Sequence, residues 1–149
     1  MPEIEKEYIA TGKVKYVLLD YPLPFHKNAS KAAAAAHCAG EQGKYWEMHD
    51  QLFTNQNALE PKDLSEYAKK IELDVSKFQQ CLDSEKYAEA IKKEVAEGQK
   101  AGVSGVPAFL MGLTDPNNPK TLKATKKLVG AQPYAKFKET IDSLLSPQK

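Results

Sequence analysis

The hydrophobic pattern of this chain changes from helical to strand-like just after Gly102, and this change restricts the folds open to it. Before Gly102 several helix-forming segments follow one another, the longest at 85–101. After it, a Gly-x-Pro sequence precedes the short apolar segment 108–111, which predicts a turn and a strand. The apolar segment 14–19 predicts another strand, covered by helices on both faces. Strands on either side of a helical block predict an α/β domain.

Residues with known preferences at helix ends set the expected boundaries. Pro61 opens one helix, Asp74 caps the next, and Ser84 caps the long helix that Gly102 closes. A polar stretch rich in Asn and Pro predicts a loop at 113–120. The predicted helices cover residues 2–10, 30–40, 44–53, 61–70, 75–82, 85–101 and 134–145, and the predicted strands cover 14–19, 108–111 and 127–129.

Length and composition narrow the classes of function. With 149 residues the chain is expected to fold as one domain, residues 1–149. Its 21 basic residues, all lysine, nearly balance its 20 acidic residues, which argues against nucleic-acid binding, where the arginine fork is favoured. No apolar run is long enough to span a membrane, and the first residues are too polar for a signal peptide.

Few residues are candidates for catalysis or metal binding. Cys38 and Cys81 are too far apart to form a reactive Cys-x-x-Cys pair, and isolated cysteines in helices are usually buried small hydrophobes. The three histidines lack the spacing of metal ligands and are expected to be ordinary surface or core residues. They are His26, His37 and His49. The sequence therefore predicts no metal site and no cofactor.

Several segments resemble DsbA-like thiol-disulfide oxidoreductases, and together they span nearly the whole chain. They are 21–26 (YPLPFH), 35–53 (AAHCAGEQGKYWEMHDQLF), 78–82 (FQQCL) and 102–109 (GVSGVPAF). The resemblance implies one thioredoxin-like domain of the α/β class, with a helical insertion at about 30–101. It also implies N-terminal truncation, because the family's first strand and Cys-x-x-Cys have no match here. No catalytic residue is then expected within this chain.

The resemblance assigns a binding role to Val106 and Pro107. It implies a cis peptide bond between them that faces the redox site, whereas the residues alone also allow an ordinary proline that begins a strand. A cis turn exposes the backbone of Val106, which could pair with an extended, cysteine-containing polypeptide as an added strand. Val106 and Pro107 are therefore the predicted substrate-binding residues.

The resemblance also favours a structural disulfide between Cys38 and Cys81. A bridge that closes a loop of this length would stabilise the fold by about 4 kcal/mol in the chain-entropy model. Two free thiols are the alternative, and a reducing cytosol would favour them. The resemblance implies a periplasmic or extracytoplasmic location, but no signal segment in this sequence supports it.

Two functions remain open from the sequence. The first is a DsbA-like thiol-disulfide oxidoreductase domain that is inactive without a Cys-x-x-Cys pair. The second is a non-catalytic thioredoxin-fold module that binds peptides or a partner. Without the family's first strand, segments 14–19 and 108–111 would either pair directly or expose apolar surface that a homodimer covers. The side chains concerned are Tyr16, Leu18, Phe109 and Met111.

Overall fold

The computed structural model describes residues 2–146, apart from the side chains of residues 119 and 120, so Met1 and residues 147–149 of the predicted domain lie outside it. The chain divides into two compact units. We call Met1–Leu18 with Val103–Lys149 the terminal unit, and Leu19–Gly102 the helical unit. The helical unit contains the whole insertion predicted at about 30–101.

Apart from the strand predicted at 14–19, the elements follow the predicted order of a first helix, a block of helices, two strands and a closing helix. They are α1 (Pro2–Ile4), which continues as a π-helical segment (Glu5–Ile9), α2 (Ala29–Gly40), α3 (Tyr45–Thr54), α4 (Pro61–Lys70), α5 (Val75–Asp83), α6 (Ala88–Lys100), β1 (Ala108–Asp115), β2 (Asn118–Val129) and α7 (Tyr134–Leu145).

The caps account for several boundaries. The Asp74 carboxylate accepts a hydrogen bond from the Lys77 backbone N–H at 3.0 Å, as an N-cap residue does. Helix α6 begins later than predicted, because Glu85 adopts a left-handed conformation with φ 53°.

The helical unit has its own hydrophobic core. Alanines of α2 are buried, and their small side chains allow α3 and α5 to approach closely. Larger side chains from the neighbouring helices fill the space that remains, and Met48, Leu64 and Phe78 are completely buried. This packing positions two residues of α2, His37 and Cys38, that matter below.

The terminal unit is built on a two-stranded antiparallel sheet. Strand β1 pairs with β2 so that Ala108 lies opposite Val129 and Phe109 opposite Leu128. One face of this hairpin packs against the helices at the two ends of the chain. The buried residues there are Ile4, Tyr8, Phe137 and Ile141, with Phe109, Met111 and Leu128 half-buried against them.

The strand predicted at 14–19 is wrong. The structure assigns neither helix nor strand to this segment, and the sheet of the described residues consists of β1 and β2. Val17 is 60% exposed and Leu19 55% exposed, so the segment is not covered on both faces either. An apolar, β-branched sequence does not form a strand without a neighbour that satisfies its backbone groups. Direct pairing of 14–19 with 108–111 is therefore wrong as well, and the homodimer stays a prediction.

The loop predicted at 113–120 is wrong, because most of it belongs to the hairpin. Strand β1 continues to Asp115, and β2 begins at Asn118 rather than at residue 127. The lysines of β2 obscured its strand character in the sequence. Lysines at 123, 126 and 127 are exposed, as is common on edge strands, where charge prevents pairing with other chains.

Replacing Gly112 by alanine is expected to disrupt the hairpin. A Cβ atom at this position would lie 1.9 Å from the carbonyl oxygen of Lys123, a backbone atom that can move only with β2 itself. We expect a loss of about 1–3 kcal/mol, the usual range for overpacking, measured as faster amide hydrogen exchange throughout β1 and β2. Gly105→Ala is the control, because a Cβ there meets nothing within 4 Å. Equal exchange in the two variants would contradict the expectation.

Candidate functional site

A turn in the terminal unit presents the predicted substrate-binding residues. The Val106–Pro107 peptide bond is cis. The backbone N–H of Gly130 donates a hydrogen bond to the Pro107 carbonyl at 2.8 Å, and Ala108 begins β1 opposite Val129. The turn is therefore attached to both strands of the hairpin.

Val106 is an accessible part of this turn. Its side chain belongs to a residue that is 53% exposed, and its backbone N–H and carbonyl have no hydrogen-bond partner within the described residues. Strand β1, which follows directly, pairs with β2 along one edge, and no other described strand pairs with it. Free backbone groups beside an open strand edge are the features by which a protein adds an extended peptide as a further strand.

The helical unit contains the two cysteines, and they form a disulfide. Cys38 of α2 and Cys81 of α5 are joined with an S–S distance of 2.01 Å, and they are 1% and 7% exposed. The sequence allowed either a disulfide or two free thiols, and the structure has the disulfide. A buried disulfide offers no thiolate for attack on a substrate, since the thiolate is the reactive form of cysteine.

Three polar side chains, those of Glu41, Lys86 and Tyr87, interact beside this disulfide. The Tyr87 hydroxyl donates a hydrogen bond to Glu41 Oε1 at 2.6 Å, and Lys86 Nζ lies 2.5 Å from the same oxygen. This oxygen is 3.8 Å from the Cys81 sulfur. The hydrogen bonds from Lys86 and Tyr87 lower the pKa of Glu41. Burial is the main cause that raises the pKa of Tyr87 to about 12, and the hydrogen bond to Glu41 is the second cause. The Tyr87 hydroxyl is thus fixed by its hydrogen bond to Glu41.

The helical unit also brings together Asp20, His37 and Glu94. His37 Nε2 lies 2.6 Å from Asp20 Oδ2, and the Asp20 backbone N–H donates a hydrogen bond to Glu94 Oε2 at 2.5 Å. The hydrogen bond that His37 donates to the Asp20 carboxylate raises the pKa of His37 against the opposing effect of partial burial. For Glu94, by contrast, partial burial is the main cause that raises the pKa.

Sequence reasoning missed this group of three residues. It treated all three histidines as ordinary, and the contacts of two of them are indeed local. His26 meets the Phe25 ring, and His49 meets the Asp50 carboxylate and the rings of Trp46 and Phe53. His37 is different, but its two partners are separated from it by long stretches of sequence, so no spacing motif could reveal them. One signal in the sequence could have indicated it. His37 is a polar residue next to a cysteine that is buried, in a helix that otherwise consists largely of alanine.

A family model and the solved structures agree on one family. A family model described as thioredoxin matches residues 1–131. The crystal structure of Wolbachia pipientis alpha-DsbA1 superposes with a TM-score of 0.78 at 26% sequence identity, over 97% of this chain and 74% of that chain. The fold is therefore thioredoxin-like, with a small antiparallel sheet and a helical insertion.

Curated relatives are of two kinds. The chain is 34% identical over 129 residues to the Na(+)/H(+) antiporter NhaA 3 of Salinispora tropica, which is 86% of this chain but 20% of that protein. It is 28% identical over 142 residues to a probable disulfide bond formation protein D of Bacillus cereus, covering 85% of this chain and 63% of that protein. The chain thus spans less than two thirds of either relative. No helix within the described residues is long and apolar enough to cross a membrane.

Proposed function

Because this chain belongs to the thioredoxin family and resembles its DsbA-like thiol-disulfide oxidoreductases, we propose that it binds extended, cysteine-containing polypeptides at the turn formed by Val106 and Pro107. The backbone groups of Val106, which have no hydrogen-bond partner among the described residues, are the observation that carries this proposal. It lies beside the open edge of β1, so a bound peptide extends the sheet by main-chain hydrogen bonds. Recognition through the main chain suits a domain that accepts many sequences.

We further propose that residues 1–149 do not exchange disulfides by themselves. The sequence has two cysteines and no Cys-x-x-Cys pair. Both cysteines are held in a buried bridge. Disulfide exchange requires a substrate thiolate to reach one of the sulfurs from solvent, and burial prevents this approach. The domain then contributes peptide binding rather than the reactive thiolate.

Peptide binding is tested with backbone-methylated peptides. Only alternate residues of an added strand direct their N–H groups toward the sheet, so N-methylation in one register removes the hydrogen bonds to Val106 and methylation in the other register does not. We expect about tenfold weaker binding in one register, from the loss of one or two hydrogen bonds. Chemical-shift changes should centre on the Val106 and Ala108 amides. Equal weakening in both registers, or shifts confined to the helical unit, would sink the binding proposal.

Turnover is tested separately on the same chain. In an insulin-reduction assay, residues 1–149 should reach only the background rate of dithiothreitol, and the double variant C38A/C81A should give the same rate. Turnover above background that this variant abolishes would show that the proposal of inactivity is mistaken, and that these cysteines react.

The matches to antiporter sequences favour a second candidate, a non-catalytic module that binds one partner segment. Such a module shares the binding edge at Val106 but selects a particular sequence. A panel of unrelated peptides distinguishes the two. Similar affinities across the panel support a DsbA-like substrate site, whereas one strongly preferred sequence, independent of its cysteine content, supports the partner module.

A further inference from the structure

Three donor atoms from three separate segments of the helical unit converge at Asp20, His37 and Glu94. Asp20 lies in the segment before α2, His37 in α2 and Glu94 in α6. One nitrogen or oxygen atom from each side chain lies within 4.8 Å of the other two. All three residues are partly buried, and the side chains of His37 and Asp20 are 25% and 11% exposed.

Within the described part of the chain the two carboxylates have no lysine partner, although the sequence contains 21 lysines. Among the ion pairs of the described residues, Asp20 pairs only with His37, and Glu94 pairs with none. Carboxylates that are partly removed from water need a positive charge or several hydrogen-bond donors nearby. Among the described residues, His37 pairs with Asp20, and Glu94 accepts a hydrogen bond from the Asp20 backbone N–H.

The imidazole of His37 is held in position by aromatic rings. It stacks on Tyr87 with ring centroids 4.8 Å apart and meets the edge of Tyr45 at 5.6 Å. Tyr87 is in turn fixed by its hydrogen bond to Glu41, and the next residue after His37 is the bridged Cys38. A ligand whose ring orientation is fixed by its neighbours loses little freedom when it binds.

We propose that Asp20, His37 and Glu94 form a binding site for a divalent transition-metal ion of the Zn²⁺ type. One imidazole nitrogen with two carboxylate oxygens is a donor set that suits Zn²⁺, whereas Ca²⁺ and Mg²⁺ take oxygen ligands throughout. The ion replaces the proton that His37 and Asp20 share, and this proton leaves to solvent. Solvent fills the remaining coordination positions. The ion then ties the segment at Asp20 to α2 and α6.

Zinc titration of the whole chain tests this site. After treatment with a chelator, residues 1–149 should bind about one Zn²⁺ per chain by calorimetry and should not respond to Ca²⁺ or Mg²⁺ at the same concentration. Zn²⁺ should also raise the unfolding temperature, because it binds the folded state. D20N and H37Q should each weaken binding by about 100-fold, since even outer-shell changes weaken metal sites by about 10–100-fold.

His49→Gln is the matched control, because His49 also lies beside a carboxylate, Asp50, at 3.1 Å. This variant should bind Zn²⁺ like the wild type. Far-UV circular dichroism checks that each variant is folded, and Co²⁺ absorption, which reports the ligands directly, should change in D20N and H37Q alone. Absence of stoichiometric Zn²⁺ binding, or equal affinity in the wild type, D20N and H37Q, would overturn the proposal. Loss of binding in His49→Gln would also overturn it, since the ion would then sit at α3.

Discussion

Removing the disulfide between Cys38 and Cys81 is expected to lower the free energy of unfolding of the helical unit by about 4 kcal/mol, the chain-entropy value for a loop of this size. The bridge spans 43 residues, which include α3 and α4, so its loss releases a large loop of the unfolded chain. Both sulfurs are buried, and alanine at each site avoids placing a hydroxyl there. The measurement is denaturant unfolding of C38A/C81A, followed by Trp46 fluorescence, since Trp46 is the single tryptophan and lies in the helical unit.

The single variants show whether the bridge itself is responsible. If it is, C38A alone should be destabilised almost as much as C38A/C81A, because either change breaks the same bond. Dithiothreitol should then lower the stability of the wild type and leave the double variant unchanged. Additive losses from the two single variants, with no effect of dithiothreitol on the wild type, would mean that the cysteines act as separate core residues.

Phe78→Ala is expected to have an effect of similar size, a loss of about 3–5 kcal/mol. Phe78 is 0% exposed and is the largest of the completely buried side chains, so its removal leaves a cavity among α2, α4 and α5. The cavity adds to the lost burial of the ring, because close-packed neighbours relax only in part. Denaturant unfolding measured by far-UV circular dichroism gives the change.

Phe53→Ala is the matched control in the same unit. Phe53 is 61% exposed and contacts the His49 ring at the surface, with centroids 4.5 Å apart. Its loss should change stability by no more than about 0.5 kcal/mol, as is usual for exposed positions. If Phe53→Ala proved as damaging as Phe78→Ala, the assignment of the helical core to the residues around Phe78 would be incorrect.

Local sequence determined the helices well. Helices α4 and α7 begin and end where the sequence predicts, because Pro61 fixes a helix start and a regular apolar period defines α7. Asp74 caps α5 as predicted. These features depend on residues within one or two turns of each other. The resemblance carried by motifs at 35–53 and 102–109 gave the fold class and the family, both confirmed by the comparisons.

Partners distant in sequence decided the rest, and here the sequence alone was insufficient. Segment 14–19 has strand composition yet forms no strand, since a strand requires a neighbour, whereas lysine-rich β2 forms one because β1 supplies its hydrogen bonds. The sequence left Cys38 and Cys81 open between thiols and a bridge, and the packing of α5 on α2 decided for the bridge. The meeting of Asp20, His37 and Glu94 likewise follows only from the way α6 and the segment before α2 pack in the helical unit. Helix propensity and capping depend on neighbouring residues and can be predicted from the sequence. Contacts between distant residues form only when the helices pack together.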